Sequence, residues 1–406
     1  MKKLSMVTKI LIAVILGIGF GLLFPSISHQ IKLLGDIFLK LMQMAIPILV
    51  LGQIIQAMGS IKPRELTSLG GRTIIIFGVS SLLAAGFGIL MAVLFSPGKG
   101  IDISGIGESA IKTQEISLTE TITDLFPKNI FESLTSGSII QIIVFALFFG
   151  LALNKFMQSH PESQLFQVIL DFNEIIIQVI SYVMIFAPIG IFSLISSTIS
   201  NLGIKIILPL VKYLFIYGLS TFLFLALWIA FLSIYCKFSP LKLIKNMRHM
   251  SIMALATTSS AITLPIEMEE AHTKIGLSKR ITNLVLPLGM SLNSNGSAMH
   301  MAITVVTIAQ MYTINLTVQR FVFLAIMATF VSLANAVVPG AGLVSLAIIV
   351  PQMGLPVASI AIFAGVEWFV GMLRTILNVN SDVYSAVLIA KTVDELDYEV
   401  FNEIKG

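Results

Sequence analysis

Five polar residues able to do chemistry share one face of a twenty-residue stretch that lies deep in a long apolar region. The stretch is Phe363–Asp382, FAGVEWFVGMLRTILNVNSD, and the residues are Glu367, Arg374, Thr375, Asn378 and Asp382. At about 100° per residue on a helix they share a sector about 100° wide with Gly371. Trp368, Phe369, Met372, Leu373, Ile376, Leu377 and Val379 take the other faces. A guanidinium offers a planar fork to a carboxylate, and an aspartate flanked by amides and hydroxyls offers oxygens to a hard cation. A charged side chain facing lipid at mid-membrane costs about 2.5–3.5 kcal/mol, so three on one stripe must line a protein-buried or watery space. Two readings stand at this point. Glu367 and Arg374, two turns apart, form a helix-packing ion pair, or the stripe is a ligand site. The second also accounts for the neighbouring Thr375 and Asn378.

The surrounding chain must position that stripe inside a membrane. Of 406 residues 56% are hydrophobic and 11% charged, against about 25% charged in soluble domains. The apolar runs leave no room for a soluble domain, so the expectation is a polytopic all-α membrane protein. Cys236 is the single cysteine, which excludes an intramolecular disulfide and a zinc cluster. No nucleotide loop and no Ser/His/Asp constellation is present, so an enzyme is not expected. Of the five histidines, four fall at expected loops or interfaces. His300, within an apolar helix, reads as a packing or hydrogen-bonding residue rather than a proton carrier.

Spanning segments are expected over about 1–24, 31–58, 72–95, 137–153, 167–199 and 208–236, with a polar loop at 96–137. Lys62, Arg64, Arg72, Lys155, Lys237, Lys242, Lys245 and Arg248 gather on one side. By the positive-inside rule that side, with both termini, is cytoplasmic in a multi-pass cell (inner) membrane protein. The net charge of +4 therefore reflects topology, and no basic stripe interleaved with aromatics points to nucleic acid.

Three interruptions follow Arg248. SIMALATTSSAITLP (251–265) lies between basic flanks and reads as a re-entrant hairpin with a Ser/Thr tip, whose helix N-terminus would attract an anion. Asn293-Ser294-Asn295-Gly296-Ser297 interrupts an apolar helix at 281–311. Its freed carbonyls suit a dehydrated alkali cation, or its polar groups make a helix–helix contact. Val338-Pro339-Gly340-Ala341-Gly342 turns the chain inside a third apolar stretch, giving a second hairpin entering from the opposite side. Two such hairpins, each followed by a polar-broken helix, suggest an inverted repeat.

TTSSAITLP, LPLGMSLNSNGSA, VVPGAGLVSLA and RTILNVNSD occur in this order over residues 257–382. With weaker matches at LMQMAIPILVLGQII, MAVLFSPG and APIGIFSLI, the chain resembles the dicarboxylate/amino acid:cation symporter family, which includes the glutamate transporters. The resemblance implies eight transmembrane helices plus two re-entrant helical hairpins. It also implies a homotrimer in which a transport domain moves past a scaffold like an elevator. On that pattern residues 1–72 are scaffold helices, 73–98 a transport-domain helix, and 99–240 the extracellular loop with helices of both parts. Residues 241–392 are then the transport core and 393–406 a cytoplasmic tail.

By the same resemblance Arg374 binds a substrate carboxylate, Thr375 and Asn378 contact substrate, and Ser259 and Ser260 bind from the first hairpin tip. Val338, Gly340 and Gly342 close over the ligand from the second. Sodium is held by Asp382 with carbonyls near Gly289, Asn293 and Asn378, and another sodium uses Ser80 and Ser81 with Asn293 and Asn295. The departures matter equally. Asn295 stands where the family commonly has Asp, so sodium is expected at the Asp382 site and weakly or not at all beside Asn295. Gly371 stands where amino-acid-selective members carry an Asp for the α-ammonium group, and Glu367 stands where an Asp is usual. The expectation is a sodium- and/or proton-coupled symporter of a small organic anion, with Glu367 a candidate for proton coupling. Because Gly371 offers an ammonium group nothing, a C4-dicarboxylate is favoured over glutamate or aspartate. An anion channel or uncoupled sensor is the alternative of another class.

Overall fold

A computed structural model describes residues 6–59, 69–100, 123, 126–203, 207–333 and 341–402. The described chain is built almost entirely of helices, several of them strongly apolar, as expected of a polytopic membrane protein. The positions of Val338 and Gly340, and part of the 96–137 loop, lie outside these residues.

In chain order the first helices are α1 Met6–Leu23, α2 Pro25–Met44, α3 Ile46–Gly59, α4 Gly71–Phe95, α5 Ile130–Ser136 and α6 Ile139–Ser159. Next come α7 Leu165–Ile185, α8 Ala187–Leu202, α9 Ile207–Tyr235, α10 Pro240–Thr257 and α11 Ser260–Glu270. The last are α12 Lys279–Leu292, α13 Asn295–Met311, α14 Val318–Leu333, α15 Ala341–Gln352, α16 Ile360–Ala364, α17 Glu367–Thr392 and α18 Tyr398–Asn402.

Among the described residues four helices are long and apolar enough to cross a membrane, inside α4, α6, α7 and α9, with a fifth if α16 and α17 count as one bent span. Several segments expected as single spans are instead divided. The 31–58 span breaks at Ala45, just ahead of Pro47, and the 167–199 span breaks at Phe186, just ahead of Pro188. A proline inside a helix removes a hydrogen bond and clashes with the preceding turn, whereas at the first turn it costs nothing, so the chain restarts a helix there. The expected single helix through 363–382 also breaks. The α16 side and α17 meet at 87° across Gly365-Val366, which makes Glu367 the first residue of α17.

The helices sort by packing. α8 lies along α1 and α2, and α3 along α6 and α7. Separately, α4 packs on α13 and α14, while α17 is surrounded by α9, α10, α11, α12 and α13. In this second group α13 is buried on nearly every face, the mark of a helix with no lipid or water contact. Close crossings rest on glycine. A Cβ at Gly150 of α6 would stand 2.6 Å from Met58 Cβ, whereas at Gly86 of α4 it would meet nothing within 4 Å. Gly150→Val should therefore lower stability by about 1–3 kcal/mol through overpacking of α3 against α6. Gly86→Val serves as the matched control, and thermal unfolding of the detergent-solubilised protein reads the difference.

Candidate functional site

The site gathers where α17 begins, because three chain breaks converge on it. α10 and α11 form a helical hairpin whose turn is Thr258, in the left-handed region at φ 52, followed by Ser259. Ser259 caps α11 by accepting from Ile262 N at 3.4 Å, and Ser260 is buried behind it. The break between α12 and α13 falls at Asn293-Ser294. Gly296 just beyond it lets the backbones touch, since a Cβ there would stand 2.9 Å from the Arg374 carbonyl carbon. The third break is the bend before Glu367.

Arg374 and Glu367 are both buried, and Arg374 Nη1 donates to Glu367 Oε1 at 3.0 Å. The same oxygen accepts from the backbone N–H of Gly342 at 3.1 Å. Gly342 begins the second arm of the α14–α15 hairpin, and a side chain there would overlap the ion pair. Glu367 Oε2 is buried and has no partner among the described residues. On the other side Arg374 Nη2 faces the space over Gly371, 3.7 Å from where a Cβ would stand, and Thr258 Cβ bounds that space at 3.9 Å. Arg374 and Glu367 thus pair through Nη1 and Oε1, while Nη2 faces the space over Gly371 and Oε2 lies beside Gly342.

Thr375 spends its hydroxyl on Gly371 O at 2.8 Å, and Asn378 Oδ1 accepts from Gly296 N at 2.7 Å. Tyr217 of α9 donates to Gly296 O at 3.0 Å and holds the other side of the break.

The residues expected to hold cations converge one to two turns further along. Asn293 Nδ2 donates to Asp382 Oδ1 at 2.9 Å, and Asp382 Oδ2 has no partner among the described residues. A Cβ at Gly289 would stand 2.8 Å from Asp382 Cγ, so only glycine fits there. Ser80 Oγ donates to Asn293 Oδ1 at 2.8 Å or Asn295 Oδ1 at 3.2 Å, and Ser81 Oγ donates to Asn295 Oδ1 at 2.9 Å. Asn295 Nδ2 is buried without a partner among the described residues. Ser80, Ser81, Asn293, Asn295 and Asp382 therefore form one buried chain of polar groups, with Gly289 against its acidic end.

Three residues were missed from sequence. Thr258 borders the gap, Tyr217 braces the broken helix, and Glu267 of α11 is fully buried. Glu267 was hidden by its text: within IEMEE it reads as one of a run of surface acids, although its spacing of seven from Ser260 and four from Thr263 places it on their buried face. His300 is buried with its ring 5.7 Å from that of Tyr217, and neither ring nitrogen has a partner among the described residues.

Removing one member of a buried ion pair typically costs about 3–5 kcal/mol, because the other charge is left uncompensated. Glu367→Gln should therefore destabilise the ligand-free protein, and Glu367→Gln combined with Arg374→Gln should be more stable than Glu367→Gln alone. Thermal unfolding of the two variants checks the sign of this coupling.

The model of the sodium:dicarboxylate symporter family matches residues 6–392. A proton/sodium-glutamate symport protein of Bacillus caldotenax is 31% identical over 419 residues, covering 100% of this chain and 97% of its own. A proton/glutamate-aspartate symporter of Escherichia coli (strain K12) is 32% identical over 416 residues, covering 97% and 94%. A proton/sodium-glutamate symport protein of Bacillus subtilis (strain 168) is 30% identical over 402 residues, covering 96% and 93%. These names overturn the expectation of a C4-dicarboxylate lacking an amino group. That expectation rested on Gly371 offering an ammonium group nothing; the structure shows Glu367 Oε1 holding Arg374 while Oε2 has no partner among the described residues. With the family model spanning nearly all of the chain and such relatives matching end to end, this protein is a member of the sodium:dicarboxylate symporter family.

Proposed function

We propose that the protein is a secondary active symporter of acidic amino acids, glutamate or aspartate, driven by protons, sodium ions or both. The observation that carries this reading is the divided ion pair: Arg374 Nη2 faces the space over Gly371, and Glu367 Oε2 has no partner among the described residues. A guanidinium fork takes the side-chain carboxylate, and an adjacent unpartnered carboxylate oxygen takes the α-ammonium group. The relatives matched along their whole length carry names of that activity. The tip at Thr258-Ser259-Ser260 supplies hydroxyls and backbone donors for the α-carboxylate, and the hairpin begun by Gly342 covers the ligand. By the family resemblance Val338 and Gly340 also contact the ligand.

In this reading sodium is cargo, taken by Asp382 with the Gly289, Asn293 and Asn378 backbone and, more weakly, by the Ser80, Ser81 and Asn295 group. Glu367 is the candidate for carrying a proton. Residues 241–392 with the 73–98 helix form the moving transport domain of an elevator fold with eight spans and two re-entrant hairpins, in a homotrimer whose termini are cytoplasmic. The separate packing of α4 with α13 and α14, away from α1, α2 and α8, supports two bodies.

The test is uptake of radiolabelled aspartate into proteoliposomes with proton and sodium gradients imposed separately. Aspartate should accumulate above its external concentration under at least one gradient, which a channel or an uncoupled sensor cannot achieve. Unlabelled glutamate should compete, and succinate should compete about tenfold less well or worse, a difference of about 1.4 kcal/mol. Arg374→Lys keeps the charge but loses the two-pronged fork, so it should lower uptake by about tenfold or more. Uptake that only equilibrates, or succinate winning over aspartate, defeats the proposal.

A further inference from the structure

The last described segment, Asp394–Asn402, carries Asp394, Glu395, Asp397 and Glu399 and no basic residue. It is short, with α18 as its helix, yet it is held from three sides. One side is the loop that leaves the first hairpin. Arg280 Nη1 donates to Glu395 Oε1 at 2.7 Å, Ser278 Oγ donates to Glu395 Oε2, and Ser278 N donates to Glu395 O at 3.3 Å. Asp397 N donates to Gly276 O at 2.8 Å, and Leu277 forms an antiparallel bridge with Leu396. Gly276 sits in the left-handed region at φ 87, and a Cβ there would collide with Asp397 O, so this approach requires glycine.

The second side is the chain that enters the hairpin. Phe401 is buried and stacks on Phe238 with centroids 3.8 Å apart, and Tyr398 meets the same ring edge-on at 5.8 Å. Lys242 Nζ donates to Asn402 O at 3.2 Å. The third side is α17, where Ala390 O accepts from Glu395 N at 2.9 Å and Lys391 Nζ lies 5.1 Å from the Tyr398 centroid. Phe238 and Lys242 stand at the start of α10, and Gly276–Arg280 follow the end of α11. The segment therefore spans both feet of the hairpin and ties them to the end of α17.

What happens at the feet reaches the tip, because the arms are cross-linked along their length. Asn246 Nδ2 donates to Lys274 O at 2.7 Å, Met250 N donates to Glu270 Oε2 at 3.0 Å, and Thr257 Oγ1 lies 3.2 Å from Thr263 Oγ1. Between foot and tip, Ser251 Oγ donates to Asn380 Oδ1 of α17 at 3.1 Å. The two arms form one lever with Thr258 at its far end, bordering the space over Gly371. The holds on the feet are of a reversible kind. The Arg280 and Glu395 side chains remain 45% and 23% exposed, and a partly solvated ion pair is individually weak. Short segments with few buried contacts are also the first to open locally.

We infer that Asp394–Asn402 is a clasp that locks both feet of the α10–α11 hairpin to α17, and that its release lets the hairpin swing away from the space over Gly371. The clasp is a control point whatever amino acid or cation is carried, so the inference goes beyond the symport reading and does not rest on it.

Hydrogen–deuterium exchange of the purified, detergent-solubilised protein tests it, with no amino acid present. Glu395→Gln combined with Phe401→Ala removes one hold from each foot. Exchange over residues 250–265 should then quicken by about tenfold or more, while α13 and α1–α3 exchange as in wild type. Glu399→Gln, at an exposed acid of the same segment outside these contacts, should leave every rate unchanged. Should the double variant not fold, the ion pair alone carries the test: Glu395→Arg should quicken hairpin exchange, and adding Arg280→Glu should slow it back toward wild type. Hairpin exchange that stays at the wild-type rate in the folded variant overturns the inference, whether or not residues 394–402 loosen. Equal quickening in α13 overturns it as well, since that reports general unfolding. Uptake plays no part in this assay, so its failure leaves the symport reading to the uptake experiment.

Discussion

A buried guanidinium sharing one oxygen of a buried carboxylate is the constraint on which the rest of the site depends. Neither Arg374 nor Glu367 can be buried alone, so every nearby element is arranged to bring them together and shield them. The bend at Gly365-Val366 starts α17 at Glu367. Seven residues give two helical turns, which puts Arg374 on the same face within 3.0 Å. The second hairpin approaches only because residue 342 lacks a side chain, and its backbone N–H then adds a further bond to the shared oxygen. The broken helix approaches Arg374 from behind for the same reason at Gly296. The seating of Gly342 and the ion pair are therefore joined through one oxygen.

Much of this was legible in the sequence because the cost of polar groups in an apolar chain is so high. The stripe through Glu367, Arg374, Asn378 and Asp382 announced itself by charge alone, and the Asn-Ser break could be placed because its residues have no polar neighbours to hide among. Ser80 and Ser81 were reached only through resemblance, since two serines in an apolar helix carry no periodic signal; the structure joins them to Asn293 and Asn295. Other features were not legible. Helix breaks ahead of Pro47 and Pro188 divided segments that hydropathy reads as continuous, because a window average does not register one missing N–H. Glu267 was lost among surface acids, since burial in a hairpin depends on what packs against it and not on its own text.

The substrate expectation failed for an instructive reason. It looked for an acceptor at position 371 alone and did not count the oxygens of Glu367. A carboxylate has two oxygens with about four lone-pair directions, and the fold places both of its own contacts on one of them. Residue identity at position 371 does not report how those lone pairs are used.

The paired serines of α4 have a consequence of the same kind. A hydroxyl that points its hydrogen at an amide oxygen can offer a lone pair elsewhere only if it keeps a home for that hydrogen. Ser80 has one, because Phe77 O lies 3.0 Å from its Oγ in addition to the two asparagine amides. Among the described residues Ser81 Oγ has Asn295 Oδ1 alone, at 2.9 Å. Two adjacent and chemically identical side chains are thus unequal rotors: turning Ser80 toward an incoming positive charge preserves its donation, whereas turning Ser81 away from Asn295 forfeits one.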